Sequence, residues 1–169
     1  QGLLERDCDR LLRNDRVIWA TSMVACGDAD GAVTGNTRRF GASLEKIKQV
    51  VDVRKGEIMF GLNMVVHKGR TIFIGDTSVH EYPTSEELAE IAISTARVVR
   101  LFGFEPKVAF VSHSTFGQPL TSRTKHIRNA VEILKEKQVD FEFDGDMQPD
   151  VALNSEYEEL YPFAKIVGK

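Results

Sequence analysis

Between Lys107 and Phe143 the chain spells strand, helix, strand, and no other feature constrains its fold as tightly. Lys107 to Ser112 is a short run of buried type, Thr121 to Lys137 carries Ile127, Val131 and Leu134 at helical spacing, and Phe141-Glu142-Phe143 alternates. Upstream, Ile58 to Val66 and Arg70 to Gly75 are apolar runs rich in branched residues, joined by His67-Lys68-Gly69, a hairpin signal. Pro83 precedes Thr84-Ser85-Glu86-Glu87, whose Thr and second Glu form a capping box that opens a helix running to Phe102 and closed by Gly103. Strands alternating with helices predict the α/β class. The expected architecture is a three-layer sandwich with a mixed, mainly parallel sheet containing one antiparallel hairpin, residues 58–75.

The first fifty residues read differently. Leu3, Leu4, Cys8, Leu11 and Leu12 fall at helical spacing, and Asn14 or Asp15 can cap a second helix that Gly27 stops. Ala32-Val33-Thr34-Gly35 predicts a short strand, and Ser43 to Val53 a third helix with Gly56 beyond its end. A length of 169 residues, without repeat or linker-like stretch, predicts one domain and is too short for a two-domain NAD enzyme of usual size. Composition at 42% hydrophobic and 28% charged excludes disorder and collagen-like repeats. The 22 basic residues against 25 acidic ones, net charge −3, give no excess of cations to bind nucleic acid. Only Cys8 and Cys26 could pair, and no secretory signal or 18-residue apolar run occurs, so a cytoplasmic, reducing setting away from membranes is expected. A start at Gln1-Gly2 without Met and an end at Ile166-Val167-Gly168-Lys169 predict an excised piece.

The segment from Val108 to Arg123 holds the most chemistry. A buried strand delivers Ser112-His113-Ser114-Thr115-Phe116-Gly117, and a helix starts just after, which places free backbone N–H groups and a positive dipole end at the strand's carboxyl edge. Ser114, Thr115, Ser122, Arg123 and Lys125 are therefore candidates for phosphate oxygens. The competing reading has Thr121 or Ser122 capping the helix with Arg123 and Lys125 in solvent. Asp76, in the polar loop after the hairpin, could orient a ligand hydroxyl or serve an ordinary strand-to-helix turn. Thr34-Gly35-Asn36-Thr37-Arg38-Arg39 sets two guanidinium groups beside a flexible turn, a phosphate clamp or a solvated surface. Asp144, Asp146 and Asp150 lack a His or Glu at ligand spacing, and the expectation is that they build a turn and cap the short helix near Val151 to Leu153. His67, His80, His113 and His126 show no metal-ligand spacing, so no metal site is expected. Cys26 is expected to pack, and Trp19 to be buried in the core or at an interface. No G-x-G-x-x-G, Walker loop, G-x-S-x-G or H-E-x-x-H occurs.

Four segments in order resemble the phosphate acetyltransferase/butyryltransferase family. Gly27-Asp28-Ala29-Asp30-Gly31 with Thr34-Gly35 resembles its "GDADG…(S/T)G" segment, and Pro83 to Ala92 its "PTxEELAEIA" helix start. Ser112 to Gly117 resembles "SxSTxG", and Asp144 to Ala152 resembles "DGexQxDxA". Stand-alone acetyltransferases usually continue the loop with Ser and another small residue, whereas Gln118-Pro119 follows here. Thr34 to Arg38, Ser114 to Gly117 and Val139 to Gly145 look like the phosphotransacetylase-like C-terminal domain of large bacterial NAD(P)-dependent malic enzymes.

That resemblance implies a regulatory and oligomerising module of a homo-oligomeric malic enzyme, whose oxidative decarboxylation of malate to pyruvate occurs elsewhere in the full chain, with acetyl-CoA as effector. Its alternative is a fragment of an active phosphate acetyltransferase moving acetyl between phosphate and CoA. Family members carry a second subdomain inserted within the first, with ligand in the cleft between them. Residues 1–169 correspond to the inserted subdomain with a preceding helical segment, about 1–26. The chain stops where relatives continue with "GxANVLVxP", before the serine, arginine and aspartate that act on the acyl group, so no catalytic residue is carried over and the isolated chain should be inactive. The resemblance leaves as phosphate or CoA contacts Thr34, Arg38, Asp76, Ser114, Thr115, Gly117, Ser122 and Arg123, with acetyl-CoA or an acyl phosphate as ligand. NAD(P) and a divalent metal are implied only for the region outside this chain, and no cofactor within it.

Overall fold

A computed structural model describes residues 3–117 and 120–168. Gln118-Pro119, which helped choose the malic enzyme branch, lie outside the described residues. The chain divides into two compact units, Gln1–Lys55 and Gly56–Lys169.

The first unit is helical among its described residues: α1 (Glu5–Asn14), α2 (Arg16–Cys26) and α3 (Phe40–Lys48). Asp15 caps α2, its carboxylate accepting from the Val17 and Ile18 N–H groups, and Gly27 ends that helix with φ +82°. Val17, Ile18 and Thr21 form its buried face. The strand expected at residues 32–35 does not form; that stretch is exposed, and this unit offers no described strand to pair with it. The third helix starts three residues earlier than expected and ends at Lys48. Val50 and Val51 both donate to the Ile47 carbonyl in a closing turn, and the Val-rich run to Val53 propagates a helix poorly. Cys26 is exposed and does not pack as expected, and Trp19, 55% exposed, is not part of the core of this chain.

The second unit is α/β, with one antiparallel hairpin and one parallel pair flanked by helices. Strands β1 (Leu62–His67) and β2 (Arg70–Gly75) pair antiparallel through a two-residue turn in which Lys68 (φ +48°) and Gly69 (φ +79°) both adopt the left-handed conformation that matches hairpin twist. Residues 58–61 stay off the ladder because the Gly61 N–H donates to the Asp76 side chain instead. Helix α4 (Ser85–Leu101) opens with the expected capping box between Thr84 and Glu87.

Strand β3 (Lys107–Val111), helix α5 (Ser122–Glu136) and strand β4 (Glu142–Met147) complete the parallel pair. Ala89, Ala92 and Ala96 of α4 and Ala130, Val131 and Leu134 of α5 bury one face of that pair around Phe110 and Phe143. On the other face Met147 joins Val151 and Ala152 of helix α6 (Pro149–Leu153) and Ile166 and Val167, with Ala109 packed against them.

Phe143 and Met147 lie four residues apart in one strand, so strict alternation would place them on one face. The ladder prevents it. Gly145 pairs with Phe110 and Met147 with Val111, which leaves Asp146 as an extra, unpaired residue in a β-bulge.

Candidate functional site

The bulge determines where the chemistry of this unit collects. Asp146, with a side chain wholly withdrawn from solvent, is an interior group of a strand and not the turn-building acid that spacing suggested. Its Oδ1 accepts from Arg128 Nε at 3.0 Å, and its Oδ2 accepts a short hydrogen bond from the Ser114 hydroxyl. Arg128 Nη2 donates to the Gly117 carbonyl at 2.9 Å. One carboxylate thus ties α5 to the 112–117 loop. Burial pushes the Asp146 carboxyl up, but the bonds from Ser114 and Arg128 outweigh it and hold the group below the usual aspartate range.

A carboxyl depressed in the folded state contributes stability that is complete above the unfolded value, about pH 4, and is lost as pH falls through the folded value. Urea unfolding between pH 2 and 6 should therefore show an acid limb that is shallower in Asp146→Asn than in the native protein. Equal limbs would rule out this contribution.

The loop is fastened from several sides. Ser112 N–H donates to the Met147 carbonyl at 2.9 Å, Ser114 N–H to Ser112 Oγ at 2.9 Å, and Phe116 N–H to the Asp146 carbonyl at 2.8 Å. Gln148 N–H donates to Thr115 Oγ1 at 3.0 Å, and Gln148 Nε2 to the His113 carbonyl at 3.1 Å. Every second N–H, at 112, 114 and 116, is thereby used. Those of His113, Thr115 and Gly117 have no acceptor among the described residues. Ser114 is 4% exposed and spends its proton on Asp146, so it orders the loop and has none to donate outward. Thr115 accepts with its oxygen and keeps its proton, which makes it the hydroxyl of the loop equipped to donate to an anion.

The remaining expected residues separate. Ser122 is the exposed first residue of α5, and the Thr121 side chain, not that of Ser122, caps this helix by accepting from Thr124 N–H. Arg123 lies 4.7 Å over the Tyr82 ring and donates to the Tyr82 hydroxyl at 2.9 Å, which holds the exposed guanidinium in place. Asp76 is committed to its own loop: Oδ1 accepts from the N–H groups of Gly61, Ser78 and Val79, and Oδ2 accepts from His80 N–H and meets His80 Nδ1 at 2.7 Å. Five contacts fill the lone-pair positions of one carboxylate. Burial pushes Asp76 up, but the hydrogen bonds from His80 and the backbone outweigh it and keep the carboxyl below its ordinary value.

Within the first unit, Thr34 is exposed, and Arg38 Nη1 pairs with Asp15 Oδ2 at 2.9 Å. Burial raises the Asp15 carboxyl, and the bonds from Arg38, Val17 and Ile18 more than reverse that. Arg38 therefore already carries an anionic partner.

Arg128 and Asp146 were not among the expected binding residues. An arginine followed 18 positions later by an aspartate has no signature in sequence, and only the bulge brings the two together. Both line a cleft of about 390 Å³ beside β4, together with Phe116, Phe163 and Lys165. Among the described residues no group of three or more His, Cys, Asp or Glu side chains could hold a metal ion, and no helix is long and apolar enough to cross a membrane.

The family model for phosphate acetyl/butaryl transferase matches residues 1–169. An NADP-dependent malic enzyme of Rhizobium meliloti (strain 1021) is 46% identical over 168 residues, which is 99% of this chain and 22% of that protein. A phosphate acetyltransferase of Buchnera aphidicola subsp. Schizaphis graminum (strain Sg) is 31% identical over 91% of this chain and 22% of its own length. The chain thus spans about a fifth of the curated relatives it matches. Among solved structures, a phosphotransacetylase from Streptococcus pyogenes superposes with a TM-score of 0.82 at 28% identity, covering 97% of this chain and 51% of that one.

Proposed function

The chain belongs to the phosphate acetyl/butaryl transferase family, and we propose that it is the phosphotransacetylase-like, regulatory and oligomerising domain of an NAD(P)-dependent malic enzyme, with acetyl-CoA as its effector. One observation carries this choice within the family: 46% identity over 99% of the chain to a malic enzyme, against 31% over 91% to a phosphate acetyltransferase. Oxidative decarboxylation of malate, with its nicotinamide cofactor and divalent metal, belongs in this reading to the much longer remainder of the protein.

The proposed ligand chemistry follows from the loop. Phosphate oxygens of acetyl-CoA would receive the Thr115 hydroxyl and the unused N–H groups of Thr115 and Gly117, with Ser122 and Arg123 at the start of α5 as further donors. Thr34 and Arg38 belong to the proposal as a separate segment, Arg38 exchanging its Asp15 partner for a phosphate. Binding that favours one conformation of the whole enzyme would lower turnover of malate through coupling between distinct sites.

Titration of the full-length protein with acetyl-CoA, while NAD(P)H formation from malate is followed, should give a saturable fall in rate, within the roughly 5–150-fold range common for coupled sites. A flat titration would remove the sensor. The second reading, an active acetyltransferase, draws on the similarity to phosphate acetyltransferases and phosphotransacetylases. Formation of acetyl phosphate from acetyl-CoA and phosphate by the same protein would establish it.

A further inference from the structure

An anion site laid over a buried carboxylate works against itself. The Asp146 side chain is wholly buried and ionised at neutral pH, and its Oδ2 accepts from the Ser114 hydroxyl. His113 and Thr115, on either side of Ser114, carry two of the loop's three unused N–H groups, and Thr115 also keeps its hydroxyl proton. A negative charge therefore stands one hydrogen bond behind the donors that phosphate oxygens would meet. The Gly117 carbonyl sets a second negative end beside the third unused N–H, that of Gly117 itself.

One guanidinium answers both. Arg128 Nε donates to Asp146 Oδ1 at 3.0 Å, and Nη2 of the same side chain donates to the Gly117 carbonyl at 2.9 Å. Bracing the loop does not require this charge, because the N–H groups of Ser112, Phe116 and Gln148 already fasten it to β4 and the residue after it. A buried ion pair adds little stability that well-packed apolar groups would not supply, so its place beneath this loop calls for another reason.

We propose that Arg128 is the counter-ion that makes the 113–117 loop competent for anions: it cancels the Asp146 carboxylate and covers the Gly117 carbonyl, so that phosphate oxygens of an acyl-CoA meet donors with no net negative charge behind them. Arg128 acts through the loop and touches no phosphate itself. The inference rests on the reading of this loop as an acetyl-CoA contact and adds the residue that sets its affinity from behind.

Acetyl-CoA binding to the full-length protein, measured by calorimetry at pH 7, separates this role from two others. Arg128→Gln leaves a unit charge uncancelled at short range in the interior and should weaken binding roughly tenfold. Asp146→Asn, whose amide oxygen still accepts from Ser114, should bind at least as tightly as the native protein. The double variant, neutral at both positions, should return to within about threefold of native affinity. A mere brace predicts that both single variants weaken binding, and a direct phosphate ligand predicts that the double variant stays as weak as Arg128→Gln; either result overturns the assignment. Should Arg128→Gln fail to fold, the double variant decides alone, since it leaves no buried charge without a partner: native-like affinity supports the counter-ion, and a loss of roughly tenfold overturns it. A native protein that binds no acetyl-CoA, or a Thr115→Val variant that binds it as tightly as the native protein, removes the loop as effector site and the counter-ion with it, whereas binding that needs Thr115 but shows the wrong order of variants removes the counter-ion alone.

Discussion

Arg128→Ala should cost more stability than removal of its partner. The Asp146 side chain is wholly buried, whereas that of Arg128 is 39% exposed, so the two halves of this ion pair face different fates when left alone. Without Arg128, a buried carboxylate keeps no cationic partner, and breaking a buried pair in that sense costs about 3–5 kcal/mol. Without Asp146, the guanidinium turns toward water, and Asp146→Asn should cost only about 1–2 kcal/mol, the scale of a lost charge-assisted hydrogen bond. Urea unfolding at pH 7 gives the order directly. The two variants should also converge on acidification: burial without Arg128 raises the Asp146 carboxyl above its unfolded value, so the cost in Arg128→Ala is relieved as pH falls through that raised value. A penalty for Arg128→Ala equal to that of Asp146→Asn at every pH would show that the carboxylate is not sequestered.

Gly145→Ala should be comparably damaging for a steric reason. Gly145 has φ +149°, a conformation side chains rarely adopt, and a Cβ there would lie 2.7 Å from Phe110 Cβ and 2.8 Å from the Phe110 carbonyl oxygen. Strain of about 1–3 kcal/mol adds to a clash with a backbone atom that cannot swing away. The expected loss is about 3 kcal/mol, with amide exchange faster at Ser112 and Phe116, whose N–H groups donate to the Met147 and Asp146 carbonyls. Native exchange at those two amides would show that the loop is held from elsewhere.

What the sequence could reveal was whatever depends on neighbours. Thr84 and Glu87 stand three residues apart and cap α4 as expected; Lys68-Gly69 makes the turn that two-residue hairpins require. The alternation of strands and helices carried the class. Thr34 misled because a β-like tetrapeptide needs a partner strand, which the helical first unit does not supply. Asp144-Gly145-Asp146 reads as turn chemistry, yet the ladder to β3 draws it into a strand and the bulge turns its second acid inward. Thr115 and Gly117 were visible as loop donors. The difference between Ser114, whose proton is spent, and Thr115, whose proton is free, depends on where β4 lies and has no trace in a string of hydroxyls.

As an addition to the register, Asp146 holds no place in the alternation that sorts Phe143 and Met147 to opposite faces. Excising this single residue would bring Met147 directly after Gly145, opposite Val111 as before, with both apolar layers still in phase. The strand can therefore be divided into a framework that the packing demands and one inserted position that the packing leaves over, and it is the inserted position that is spent on holding Ser114 and Arg128.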